Sequence, residues 1–302
     1  MSSTPNRELP TASFTPHGVL IIDKPAGISS RLVVTKIEYK LDPLPVGHAG
    51  TLDPLATGVL LVCVGRATKL VDYLHRFSKT YCATFLLGQT SDTEDITGDV
   101  EVLADARQPT RAELESAVPQ FIGNIMQIPP AFSAIKVAGR RAYKLARKGR
   151  TVEMQPRAIV VHRFELLRYE YPEVEVEIEC ASGTYIRSLG RDLARAVGTA
   201  ALMSQLRRTA IGPFSIANST AADAIRGDNF SPLLQPSLLA VGDMPRLPIS
   251  YEQAQALQNN GVLFNLPPYP GTELAAVTPD GRLFSVLTPS KTDRWKVKTF
   301  VG

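Results

Sequence analysis

Asp53 is the residue of this chain best placed to do chemistry. It is the only acid in Gly47-His48-Ala49-Gly50-Thr51-Leu52-Asp53-Pro54-Leu55-Ala56-Thr57-Gly58, a stretch with three glycines and no lysine or arginine. Glycine permits positive φ or the close approach of another backbone, as a loop hugging a ligand needs. Pro54 lacks an N–H and drives Asp53 towards extended geometry, so the carboxylate cannot sit inside a helix. Directly afterwards Val59-Leu60-Leu61-Val62-Cys63-Val64 reads as a buried strand. A carboxylate is thereby held where a loop runs into the core. Taken alone, such an Asp-Pro turn also fits a side chain that only accepts hydrogen bonds from neighbouring N–H groups.

A second charged group is out of place. Gly183-Thr184-Tyr185-Ile186-Arg187-Ser188-Leu189-Gly190-Arg191-Asp192-Leu193-Ala194 reads as a strand end followed by a helix to about Val197. Arg187 falls near the helix start, where a cation is unfavourable, which hints at a compensating carboxylate elsewhere in the chain. Arg191, Asp192 and Arg195 read as surface charges. A third concentration of chemistry lies between Lys136 and Arg157. Eight cations there (Lys136, Arg140, Arg141, Lys144, Arg147, Lys148, Arg150, Arg157) face one acid, Glu153. The segment carries +7 against a chain total of +4, so the remainder is net −3. A one-sided cluster without acidic partners one turn away repels itself unless an anion offsets it, and an RNA backbone is such an anion.

The elements that must position these groups follow from pattern. Gly18 to Ile22 reads as a short strand, then a turn, then a helix from Ser29 or Ser30 to about Tyr39. A helix is predicted over Lys69 to Leu74, a strand over Lys79 to Gly88, and a capping-box helix from Thr110 to about Val118. The basic segment holds a predicted helix from Ala142 to Lys148. Strands follow over Ala158 to Leu167 and Val174 to Cys180, the second alternating Val/Ile with Glu and so wet on one face only. From about Leu247 the texture changes. Ser250 and Gln253 form a second capping box, Gly261 stops that helix, and Asp280-Gly281 marks a hairpin. Lys291, Arg294, Lys296 and Lys298 flank Trp295.

At 302 residues, 44% hydrophobic and 21% charged, the chain has the composition of an ordinary soluble globular protein and the length for two domains, one large and one small. Met1 to Pro16 is polar and is predicted to be a disordered tail rather than a secretory signal. Cys63, Cys82 and Cys180 are far apart, which predicts reduced thiols in a cytoplasmic protein. Dinucleotide, Walker, zinc-protease and serine-hydrolase motifs are missing from the sequence.

Five stretches in order resemble one family. GHAGTLDPLATGVL is similar to the catalytic motif of the TruB family, the tRNA pseudouridine-55 synthases. Asp23-Lys24-Pro25-Ala26-Gly27, Lys79-Thr80-Tyr81, Gly183 to Ala194, and Leu206-Arg207-Arg208-Thr209 with Ile211-Gly212-Pro213-Phe214 match it as well, so the resemblance covers about Gly18 to Phe214. It implies Asp53 as nucleophile, Arg187 as its partner and Tyr81 as the catalytic tyrosine. Tyr185 and Leu206 would line the pocket of a flipped base, and His48 would fill space that the base vacates. Lys24 is a structural or RNA-facing candidate near the site, and Asp95 a supporting group behind it.

The resemblance further implies an α+β fold: a mixed, largely antiparallel sheet in a catalytic unit of residues 17–244. Within it a basic thumb at about 124–157 would grip the tRNA T arm through Lys136, Arg140, Arg141, Lys144, Arg147 and Lys148. A small PUA-like β-barrel over 245–302 would complete the chain. The implied reaction is isomerisation of uridine 55 to pseudouridine, without cofactor or guide RNA; the residue pattern adds no metal site and no membrane span, and a monomer is the default expectation. Two alternatives stay open at this level: a tRNA-folding chaperone, and an RNA-guided synthase of the dyskerin type.

Overall fold

A computed structural model describes residues 16–302 except 134, 138, 147, 150–152, 265, 267, 268, 270, 292 and 293. The tail expected over residues 1–16 lies, all but Pro16, outside the described residues, as does Arg147 of the expected RNA-binding set.

The chain opens with β1 (Gly18–Lys24), α1 (Ser30–Leu41), β2 (Val46–Ala49) and β3 (Thr57–Val64). A short 3-10 turn leads into α2 (Val71–Arg76) and β4 (Lys79–Leu87). The ribbon β5 (Gln89–Ser91) and β6 (Val100–Val102) precedes α3 (Arg111–Ala117) and β7 (Gly123–Gln127). The basic segment folds as β8 (Lys136–Val137), β9 (Arg140–Arg141) and α4 (Ala142–Ala146). The long hairpin β10 (Arg157–Glu170) and β11 (Glu173–Cys180) leads to α5 (Ile186–Ala196), β12 (Ala201–Ile211), β13 (Phe214–Ser215) and β14 (Thr220–Ala221). Then come β15 (Arg246–Pro248), α6 (Tyr251–Asn260), β16 (Val262–Phe264), β17 (Leu274–Val277), β18 (Leu283–Lys291) and β19 (Arg294–Phe300).

The fold is α+β, built on one mixed sheet in the order β14-β1-β3-β12-β4-β11-β10-β7. Its pairings are antiparallel apart from β1 with β14 and β3 with β12. The parallel contact matters most, because β12 is thereby wedged between β3 and β4. Arg208 of β12 stands opposite Gly58 on one side and Tyr81 on the other. Strand β11 shows why period-2 sequences pair here: Val174, Val176, Ile178 and Cys180 are buried while its glutamates face solvent in part. Those inward residues join Phe85 and Leu189 in the core under α5, where removal of apolar area from water supplies the driving force.

A second, curled sheet in the order β15-β17-β18-β19-β16 closes around Leu257 of α6 and Trp295 of β19. Both capping boxes are present, Thr110 with Glu113 and Ser250 with Gln253. Gly261 ends α6 at φ 68, a left-handed position that glycine adopts without steric cost. The two sheets share apolar packing, since Ala275, Leu283 and Val286 lie in one cluster with Val19, Val59 and Leu61. Among the described residues no helix is long and apolar enough to cross a membrane.

Three expectations are corrected. The Asp53 loop is shorter than its glycines suggested, because Val46–Ala49 pairs with β3 as an edge strand. The helix expected over Lys69 to Leu74 is instead a 3-10 turn over Gly65–Leu70 followed by α2, the Thr68 hydroxyl donating back to the Gly65 carbonyl at 2.8 Å. The helix expected to reach Lys148 ends at Ala146, with Lys148 in the turn that follows.

Candidate active site

The loop from Gly50 to Ala56 is fastened from three sides, which leaves Asp53, its one charged residue, partly exposed. Ser30, in the first turn of α1, donates to the Leu52 carbonyl at 3.0 Å and accepts from the Leu52 N–H at 2.9 Å. Lys24 is wholly buried at the end of β1. Its ammonium donates to the carbonyls of Pro25 and Ile28, both at 2.8 Å, and of Pro54 at 3.3 Å. Arg208 reaches from β12 to the Val59 and Gly50 carbonyls, both at 2.8 Å. Leu52 and Ala56 turn inward onto Tyr81 and Leu206. The Asp53 side chain between them stays 43% exposed.

Arg187, the second residue of α5, meets it. Its Nη2 lies 3.0 Å from Asp53 Oδ2 and its Nη1 lies 3.5 Å from Asp95 Oδ2. The same guanidinium donates to the Thr93 carbonyl at 2.7 Å and the Phe132 carbonyl at 3.1 Å. The cation at a helix start is thus offset by two carboxylates rather than one, and its four acceptors come from three separate segments. Asp95 is itself buried and accepts from Thr93 Oγ1 at 2.9 Å and from the Thr97 N–H at 3.0 Å. Hydrogen bonds from Ile96 N to Met203 O and from Met203 N to Glu94 O, each 3.0 Å, tie this acidic loop to β12.

These groups border a cleft of about 500 Å³ that Tyr185, Phe132 and Tyr143 help to line. Tyr185 is set by Gln127 of β7, whose amide accepts from the Tyr185 N–H at 2.9 Å and donates to its carbonyl at 3.0 Å. Tyr81 and Leu206 lie in the core below the Asp53 loop. Leu206 also borders a neighbouring cleft of about 370 Å³, and Leu55 forms a wall of both. Burial pushes the Tyr81 hydroxyl above its ordinary value, with Arg208 pulling it back. His48 sits on β2, its Nδ1 buried and, among the described residues, without a hydrogen-bond partner. Burial first, then His75, Arg208 and Arg31, lower its pKa.

The sequence and the fold have relatives. Residues 39–186 match the family described as TruB family pseudouridylate synthase (N terminal domain). A tRNA pseudouridine synthase B of Gluconacetobacter diazotrophicus is 44% identical over 248 residues, covering 80% of this chain and 81% of that one. Another, from Mycolicibacterium paratuberculosis, is 40% identical across 91% of this chain and 94% of its own length. The chain belongs to the TruB family of pseudouridylate synthases. It is therefore a pseudouridine-forming isomerase. Two solved structures share the fold. A Cbf5-Nop10-Gar1 complex gives a TM-score of 0.69 at 26% identity, covering 91% of this chain and 79% of that one. An H/ACA RNP bound to a substrate RNA containing 2′-deoxyuridine gives 0.70 at 25%, covering 94% and 84%.

In this TruB-family chain the basic segment adjoins the cleft. Arg140, Arg141, Lys144 and Lys148 surround a hollow of about 790 Å³, and Tyr143 lines both that hollow and the Asp53 cleft. Lys136 lies on β8, paired in register with Arg141 of β9. Sequence reasoning missed Thr93, Gln127, Phe132 and Tyr143, none of which carries a local signal of its role. It misread Arg191, whose side chain is only 13% exposed and pairs with Glu94 and Asp192. Glu94 accepts from Ser188 as well, at 2.8 Å, and is the only described non-glycine residue at positive φ. Arg191 also donates to the Ile128 carbonyl at 2.9 Å, so α5 holds both the acidic loop and the root of the basic segment.

Proposed function

We propose that this chain converts uridine 55 of the tRNA T loop to pseudouridine, with Asp53 as nucleophile, acting alone and without a guide RNA or cofactor. The observation that carries the reading is the Asp53–Arg187 pair at 3.0 Å on the wall of an open cleft. The reaction breaks the bond from ribose C1′ to uracil N1 and makes one from C1′ to C5. The C5 proton leaves and N1 gains one. No electron or phosphoryl group is transferred, so a carboxylate and proton carriers suffice in kind. Attack by Asp53, on the sugar or on the ring, divides the exchange into two easier steps through a covalent intermediate. Arg187 orients that carboxylate.

A uracil stacked within a folded loop is out of reach, so the nucleotide must turn out of its stack into the cleft. Tyr185 offers aromatic surface there, Tyr81 backs the Asp53 loop from the core, Leu206 walls the neighbouring cleft, and Lys24 and Asp95 hold the loop and the arginine in place. His48 stands on the flank of the loop. The basic hollow beside Tyr143 supports backbone contact by Arg140, Arg141, Lys144 and Lys148, and the charge of the segment extends that assignment to Lys136 and Arg147. Residues 17–244, with the insertion at 124–157, serve as the catalytic unit and residues 245–302 as a PUA-like RNA-binding unit. The enzyme works as a monomer.

Purified protein incubated with a T-arm transcript, followed by mass mapping of pseudouridine, tests this. Wild-type protein should modify position 55 and Asp53→Asn should not. A wild-type preparation that is inactive until a guide RNA is added would favour the guided alternative. RNA refolding that survives Asp53→Asn, with no pseudouridine made by either protein, would favour the chaperone.

A further inference from the structure

Arg208 is a buried cation with no acid to explain it. Its residue is 1% exposed. Among the described residues no carboxylate lies within salt-bridge distance of it, although every other arginine at the site, Arg187, Arg191 and Arg207, has one. Taking a guanidinium out of water costs on the order of several kcal/mol, so something has to justify its place. What it touches is the Asp53 loop at both ends. Nε donates to the Val59 carbonyl just after the loop, and Nη2 donates to the Gly50 carbonyl at its start. The guanidinium carbon is 5.9 Å from the centre of the Tyr81 ring. Its own backbone closes the remaining gap, because a Cβ on Gly58 would meet the Arg208 carbonyl at 2.2 Å.

We infer that Arg208 is a positioning residue for pseudouridine formation: its planar fork spans the two ends of the Asp53 loop and holds that loop in register with Tyr81. This rests on the reading of Asp53 as nucleophile. The two N–H directions of the fork are fixed relative to each other, so the separation of Gly50 and Val59 is fixed with them. A lysine would keep the charge but could not bridge both carbonyls with a rigid plane. The charge is felt by its surroundings, for Arg208 adds to the lowering of pKa at Lys24, Lys79 and His48. Sequence order alone places Arg208 next to Arg207, which is half-exposed and pairs with Asp23 at 2.9 Å. The β pleat sends the two neighbours to opposite faces, one to solvent and one under the loop.

The test compares wild-type protein, Asp53→Asn, Arg208→Lys and Arg208→Gln by single-turnover pseudouridine formation, T-arm RNA binding and amide hydrogen exchange. Arg208→Lys and Arg208→Gln should each lower the single-turnover rate about 100-fold, the scale of a small misplacement of reacting groups. RNA affinity should stay within about threefold of wild type, because ground-state binding is not what the fork supplies. Faster exchange should be confined to the stretch from Gly50 to Val59. A lysine variant at half the wild-type rate or better would overturn the inference, since charge alone would then suffice. So would exchange accelerated across the whole sheet, or failure of both variants to fold, because Arg208 would then be holding the fold rather than the loop. An inactive wild type, or an active Asp53→Asn, would instead refute the underlying reading and is scored separately.

Discussion

Arg187 Nη2 touches the Asp53 carboxylate and the Phe132 carbonyl at the same time, at 3.0 and 3.1 Å. The candidate nucleophile and the root of the basic segment therefore share one nitrogen. Whatever shifts Phe132 also shifts the partner of Asp53.

Removing that arginine should show how the charges are balanced. In Arg187→Met the buried Asp95 loses its cation, and loss of one partner of a buried pair costs about 3 kcal/mol or more. Urea unfolding should therefore show a large drop in stability, and Arg187→Met combined with Asp95→Asn should recover part of it. Equal stability of the single and double variants would mean that Thr93 and Thr97 satisfy Asp95 unaided.

Contact between the basic segment and RNA should appear as salt dependence. Each of Arg140→Ala and Lys144→Ala should weaken T-arm binding and reduce the slope of log K against log salt by about 0.7 to 0.9, the value for one lost phosphate contact. Filter binding between low and moderate salt measures it. Unchanged slopes would remove both residues from the interface.

Lys24 should titrate far below an ordinary lysine. Burial pushes it down to about 8, with Asp53 opposing that fall and Arg208 adding to it. Between pH 8 and the ordinary lysine value of 10.5 the unfolded chain then binds more protons than the folded one, so this residue makes stability rise with pH across that window. Carbon-13 NMR of the labelled lysine should give the depressed value, and Asp53→Asn should lower it further. A midpoint near 10.5 in the folded protein would contradict the burial argument.

The junction of the two sheets should be sensitive to acid. Glu273 is 13% exposed, with Arg76 at 2.7 Å and Lys298 at 2.5 Å. Hydrogen bonding from Arg76, ahead of Lys298 and against the effect of burial, holds its carboxyl at about 2. A depressed carboxyl pKa contributes stability above its ordinary value of 4.5 that is lost as pH falls towards 2. Glu273→Gln should therefore be less stable than wild type at pH 6, with the gap closing between pH 4.5 and 2 in thermal melts.

Gly58 should tolerate no side chain. It sits at φ 97, and an added Cβ would lie 2.2 Å from the Arg208 carbonyl oxygen. Gly58→Ala should cost about 2 kcal/mol or more, through backbone strain and a forced separation of β3 from β12. Gly27→Ala, where nothing lies within 4 Å, faces only its φ of 83 and should cost less.

Local chemistry was legible in the residues themselves. The strands of the β10–β11 hairpin, both capping boxes and the Asp280-Gly281 turn follow from side-chain period and turn preference, which neighbours in sequence decide. So did Asp53 as a projecting acid, because Pro54 and the glycines limit the backbone at short range. The edge strand at Val46–Ala49 was hidden because pairing with β3 overrode a loop-like composition. Arg191 looked like a surface charge because its partner, Glu94, belongs to a loop distant in the chain.

Strand order settled the rest. No local pattern says that β12 lies between β3 and β4, yet that order puts Arg208 beside both Gly58 and Tyr81, and the packing of α5 on β12 and β4 brings Arg187 to Asp53. Sequence by itself marked the groups whose chemistry could serve a reaction and most of the segments that became strands or helices, since those depend on a few adjacent residues. Only tertiary structure decided which charges meet and which are buried, because Coulomb attraction and desolvation depend on distance in space, and the sheet sets that distance.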